Sequence, residues 1–193
     1  IAIGIVVTCV RILPKNNWFV KILDAIARFY VTIIRGTPIV LQLFISYFVI
    51  LSSMKLMADG MVVGAITFGI NSGAYMAEIL RGGIMSVDKG QMEAGRSLGM
   101  SWLTTFIKIV LPQALKSAIP TMFNEFITLI KETSVAGYVG IYELMKVRED
   151  ITTESMQLYM PLFIIAAMYL IIVLGLQAIQ KVIERRLTQG DRR

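Results

Sequence analysis

Polar side chains inside apolar runs are where this chain could do chemistry. Asn71, Tyr75 and Glu78 recur at i, i+4 and i+7, the spacing of one helical face. Asn124, Thr128 and Lys131 repeat that spacing further along. Amide, phenol and hydroxyl groups held in apolar surroundings have two uses: they hydrogen-bond neighbouring helices, or they line a path for a polar solute. For Asn71, Tyr75 and Thr128 both uses stay open. Glu78, close to Arg81, reads first as an ion pair within the bundle, and Glu125 points elsewhere, to another helix or another copy.

Composition excludes most other chemistries. Of 193 residues, 56% are hydrophobic and mean hydropathy is +0.70, whereas soluble domains are about 45–50% apolar. There is no histidine and a single cysteine, Cys9, so an internal disulfide, a cysteine-based metal site, the usual zinc sets and a Ser-His-Asp triad are ruled out. No Gly-x-x-x-x-Gly-Lys-Ser/Thr run occurs, so ATP, if used, binds a partner. The net charge of +6 flanks apolar runs and forms no aromatic-interleaved basic patch, which reads as membrane orientation and not nucleic-acid binding.

The elements that must position these groups are helices. The reading is all-α: one polytopic membrane domain over residues 1–193 with about five spans. Ile1 to Leu13 is too short to cross alone and opens without an initiator Met, so it reads as the second half of a span in a chain trimmed at its start. An amphipathic, partly interfacial helix follows, with Ile22, Ile26, Phe29 and Ile33 on one face and Trp18 near the headgroups. Thr37 is expected to cap the next helix, with Pro38 at its first position, and "PIVLQLFISYFVILSSM" forms the second span, with Gln42 inside it. Met61 to about Met85 is the third span, with Gly64, Gly69 and Gly73 admitting close helix approach. The fourth runs from about Ser117 to Ile130 and the fifth from Leu158 to Ile179. Between them lies a polar, acid-rich excursion that Gly137 and Gly140 are expected to break.

Fifteen Lys and Arg residues fall in the connections after spans one, three and five, against four (Lys55, Lys131, Lys146 and Arg148) on the other side. The positive-inside rule then puts the N-terminus outside and the C-terminus in the cytoplasm. Residues 88–105, "DKGQMEAGRSLGMSWLTT", thus face the cytoplasm as helix, glycine turn and second helix. Glu93, Ala94 and Gly95 close the first helix, Gly99 supplies the turn and Ser101 an N-cap, and Trp102, Leu103 and Phe106 give the second helix an apolar face. Such a knob either lies in a groove of a soluble partner or is a structured interhelical loop.

Glu93-Ala94-Gly95, Gly99 and Ile109-x-Leu111-Pro112 stand at the spacing Glu-Ala-Ala, three residues, Gly, nine residues, Ile-x-Leu-Pro. That pattern resembles the signature of permease subunits of binding-protein-dependent ATP-driven importers. Gly95 for the second Ala reads as a small-for-small change. "YVTIIRGTPIVLQLFISYF", "NSGAYMAEILRGGIMSVDKGQMEAGRSLGMS" and "FITLIKETSVAGYVGIYEL" look like the polar amino acid branch, with its type I importer fold. The resemblance implies a non-catalytic pathway subunit whose segment 88–105 couples to an ATPase through Glu93, Ala94, Gly95, Arg96 and Gly99. It also implies a second permease copy, expected as a homodimer, an ATPase dimer that carries ATP and Mg, and an extracytoplasmic solute-binding protein. This chain would hold no cofactor itself and would lie in the bacterial cell membrane.

An amino acid needs an acceptor for its ammonium and donors for its carboxylate. Glu143 is the candidate acceptor, its alternative being a partner for Lys146 or Arg148, and with Asn71, Tyr75, Asn124 and Thr128 it makes up the expected substrate-binding set. Glu132, Glu149, Asp150 and Glu154 add acid to the outer excursion, which favours a basic amino acid such as arginine. The competing class is an ion-coupled secondary transporter. It would want buried ion sites and often internal repeats; no repeat is present, and only Glu78 and Glu125 are candidate intramembrane acids. A membrane-embedded hydrolase finds no paired-carboxylate motif in a span.

Overall fold

The computed structural model describes residues 1–51 and 59–189. The end of the expected second span, Lys55, and Arg192 and Arg193 of the basic tail lie outside the described residues. Among the described residues the secondary structure is helical throughout. The order is α1 (Ala2–Ile12), α2 (Trp18–Gly36), α3 (Ile39–Phe44, continued by the π-helical turn Ile45–Leu51), α4 (Gly60–Met85), α5 (Lys89–Ser97), α6 (Trp102–Thr105, continued by the π-helical turn Phe106–Val110), α7 (Leu111–Glu132, running into the 3-10 turn Thr133–Val139), α8 (Leu144–Ser155) and α9 (Tyr159–Gln189).

Helix α4 is the axis of the packing, with α1 and α2 against it and α7 on a further face. Its small residues make this possible. A β-carbon added at Gly73 would lie 2.8 Å from Ile3 Cγ2 and 2.9 Å from the Tyr30 hydroxyl, so only glycine lets α1 and α2 come this close. Gly64 is likewise filled over, by Ile141, but nothing approaches Gly69, which departs from the expected close contact there. Ala74 and Ala77 are fully buried and pack with Val31. Asp59 caps α4 by accepting from the Met61 N–H at 3.1 Å.

Helix α9 (Tyr159–Leu187 in its apolar part) is, among the described residues, the one helix that by itself is long and apolar enough to cross a membrane. Only 6% of its most apolar window is buried, so its hydrocarbon surface faces outward. Helices α2 and α3 reach the same standard only together and are bent by 106° at their junction. The expected Thr37 cap is not made. Its hydroxyl instead donates back to the Ile33 carbonyl at 2.9 Å, closing α2, while Pro38 stands at the N-cap of α3. The fourth apolar segment begins earlier than expected, at Leu111, because Pro112 in the first turn has no N–H to waste. Gly137 does not break the outer excursion; the chain winds on to Val139 and turns at Gly140, whose φ is +80°.

Candidate coupling and pathway sites

The knob forms as its sequence dictates. Asp88 accepts from the Gly90 N–H at 2.7 Å and starts α5. At the other end Gly99 adopts φ +82°, with Met100 N–H donating to Gly95 O at 3.2 Å and Gly99 N–H to Arg96 O at 3.0 Å. That pair of bonds is a Schellman stop, which requires the left-handed residue glycine supplies. Ser101 then caps α6 by accepting from Thr104 N–H at 3.2 Å, and Trp102 stacks on Phe106 with centroids 5.3 Å apart.

The five residues expected to couple are divided by this geometry. Glu93, Ala94, Arg96 and Gly99 are exposed. Gly95 is buried and faces Thr105, which is fully buried, and a β-carbon there would collide with Thr105 Cγ2 and sit 3.2 Å from Ile109 Cδ1. The glycine is therefore not interchangeable with alanine in this chain: it lets α5 close onto α6. Leu98, 81% exposed, and Leu103, 58% exposed, leave apolar surface at the knob.

The polar groups of the expected pathway do not form one cluster. Asn71 is buried and donates through Nδ2 to Gln42 Oε1 at 3.0 Å. Gln42 in turn donates to Ile34 O at 2.7 Å and to Thr37 O and Oγ1, tying α2, α3 and α4 together. Asn71 Oδ1 is buried with no hydrogen-bond partner among the described residues. Tyr75 carries the Arg35 guanidinium over its ring, 5.3 Å from the centroid. Asn124 instead looks to α9, accepting from Gln180 Nε2 at 3.1 Å, and Gln180 also donates to the Pro120 carbonyl at 3.3 Å. Thr128 is half-buried on the same helix.

Glu78 is an ion-pair centre, as its neighbour Arg81 suggested, and a larger one. It accepts from Arg11 and from Arg81, the latter at 2.8 Å, and Arg35 lies 3.6 Å away. Asp24, buried, holds Arg28 and Lys15. Gln180, Arg11 and Arg35 were not singled out as functional from sequence. For Gln180 a signal exists, an amide in the last apolar run three residues after Gln177; for Arg11 the partner is 67 residues away.

In the outer excursion Glu143 is the N-cap of α8, accepting from Met145 N–H at 2.8 Å and Lys146 N–H at 2.9 Å. The Lys146 ammonium does not take Glu143 as its partner but binds Glu149 at 3.0 Å; the carboxylate raises the lysine's proton affinity, and the ammonium lowers the pKa of Glu149.

Comparison with known proteins gives the chain its class. The family described as binding-protein-dependent transport system inner membrane component matches residues 1–189, and this chain belongs to it. It is a membrane protein, a permease of amino acid ABC transport and not a secondary carrier. It is 37% identical over 184 residues to a putative glutamine transport system permease protein, GlnP, of Rickettsia bellii, covering 95% of this chain and 84% of that one. To the arginine transport system permease protein ArtQ of Bacillus subtilis it is 35% identical over 189 residues, covering 98% and 86%. A crystal structure of an amino acid ABC transporter with histidines superimposes with a TM-score of 0.89 at 32% identity, over 96% of this chain and 84% of that chain. The MetNI methionine ABC transporter shares the fold, with a TM-score of 0.77 at 18% identity over 96% and 86%.

Proposed function

We propose that this chain is the five-span pathway subunit of an ATP-driven importer of basic amino acids, non-catalytic itself and driven by a separate ATPase dimer. Two copies form a homodimer, with the N-terminus outside and the C-terminus in the cytoplasm, and an extracytoplasmic binding protein delivers the solute. ATP and Mg reside on the partner, and this chain holds no cofactor. The observation that carries the reading is the α5–α6 knob: four of its five expected coupling residues are exposed, and at the fifth, Gly95, a buried contact closes α5 onto α6. A rigid helix in a partner's groove turns ATPase motion into a tilt of α4 and α7. Exposed Glu93 and Arg96 are available to pair across that interface.

Asn71, Tyr75, Asn124, Thr128 and Glu143 serve the substrate. Asn71 is best supported, because its Oδ1 is a buried acceptor with no partner among the described residues. The acid of α8 and the likeness to an arginine permease favour a cationic solute. Glutamine is the second reading, favoured by the GlnP relatives. The test is ATP-dependent uptake of labelled arginine into liposomes holding permease, ATPase and binding protein, with unlabelled glutamine as competitor. Competition only by basic amino acids supports the first reading, and equal competition by glutamine the second.

A further inference from the structure

Helix α2 carries charge that lies outside the proposed substrate-binding and coupling residues. Arg28, Val31, Thr32 and Arg35 stand at i, i+3, i+4 and i+7, one face of α2, and with Arg11 and Glu78 they line an open cleft of about 280 Å³. Among the described residues, five cations (Arg11, Lys15, Arg28, Arg35 and Arg81) pair with two carboxylates, Asp24 and Glu78, and Glu125 is a third acid within electrostatic reach of Arg35. The charge is thus under-neutralised, and two of the guanidiniums are open: Arg28 is 57% exposed, and Arg35 is 42% exposed with its carboxylate 3.6 Å away.

A guanidinium fork suits phosphate oxygens. The other side of α2 says which phosphate. Trp18, Phe19, Ile22, Ile26, Phe29 and Ile33 are all exposed there, an apolar face that beds a helix at the hydrocarbon boundary and holds its basic face at headgroup level. We propose that the cleft between Arg11, Arg28 and Arg35 binds the phosphate of an anionic phospholipid in the cytoplasmic leaflet. The leaflet rests on the orientation proposed above; the binding does not.

The test is native mass spectrometry of the full chain in neutral detergent, titrated with phosphatidylglycerol and, separately, phosphatidylcholine. Phosphatidylglycerol binds and phosphatidylcholine does not over the same range. Arg35→Gln weakens binding about fivefold, the effect of one basic residue at a lipid surface, while Lys108→Gln, an exposed cation away from the cleft, leaves it unchanged. If Arg35→Gln fails to fold, Arg28→Gln replaces it, since Asp24 keeps Lys15. Equal binding of both lipids, or an unaltered affinity in the arginine variant, overturns the proposal. Displacement of the lipid by equimolar inorganic phosphate overturns it in favour of a free-anion site. Neither ATP nor amino acid enters the assay, so its failure leaves the transport reading standing, and failed transport leaves the lipid site standing.

Discussion

The backbone of Gly95 lies against the side chain of Thr105 with no room for a β-carbon between them. Helices α5 and α6 close onto each other through this contact. Gly95→Ala should cost about 1–3 kcal/mol, the usual penalty of overpacking. Thr105→Ser removes the offending methyl, so the double variant Gly95→Ala/Thr105→Ser should recover most of the loss. Thermal melting of the four proteins, wild type included, completes the cycle.

Glu78 should be among the least replaceable residues of the bundle. Its side chain is 17% exposed and Arg11 is 14% exposed. Glu78→Gln leaves clustered arginines uncompensated and should destabilise by about 3–5 kcal/mol. Arg81→Gln should cost less, because Glu78 keeps Arg11. Detergent-solubilised melting temperatures measure the difference.

Asn71 separates pathway from packing. Asn71→Leu removes the free acceptor as well as the bond to Gln42, whereas Gln42→Leu removes that bond and the Gln42 bonds to Ile34 and Thr37 but leaves the free acceptor in place. If Oδ1 receives the solute's ammonium, Asn71→Leu raises KM for uptake by about tenfold, the loss of one good hydrogen bond. Gln42→Leu should leave KM near wild type while lowering stability. Equal KM in both variants would return Asn71 to a packing role.

Glu143 has a structural duty that must be held constant. Glu143→Ala removes an N-cap and should destabilise α8 by about 1 kcal/mol. Glu143→Ser can retain the cap yet lacks the charge. A cationic solute should therefore lose uptake in both variants, whereas a helix cap alone predicts normal uptake in Glu143→Ser. Transport rates against arginine concentration decide.

What could be read from sequence follows the range of the interaction. The bounds of α4, the turn at Gly99 and the cap at Ser101 depend on residues within a turn of each other, and they were legible. Thr37, expected from sequence to cap α3, bonds back to Ile33 because a hydroxyl that can cap forward can equally bond to the preceding turn. Helical spacing correctly put Asn71 and Tyr75 on one face, and Asn124 and Thr128 on another. It could not say that the first amide meets α3 and the second α9. The Glu-Ala-Gly motif was visible, but not that its glycine faces inward, because Thr105 and Ile109 reach it only after the chain reverses at Gly99.

The central claim is that α5–α6 is the handle by which an ATPase moves the pathway. Its most direct test is ATP-driven arginine uptake in liposomes containing this chain, its ATPase and its binding protein, with ATP hydrolysis recorded in parallel. Wild type is compared with Glu93→Ala, an exposed knob position, and Gly99→Pro, whose turn needs positive φ. Coupling through the knob predicts ATP-dependent uptake in wild type and loss of uptake in both variants, with permease levels unchanged in the membrane. Uptake that persists without ATP, or that is indifferent to both substitutions, would contradict it.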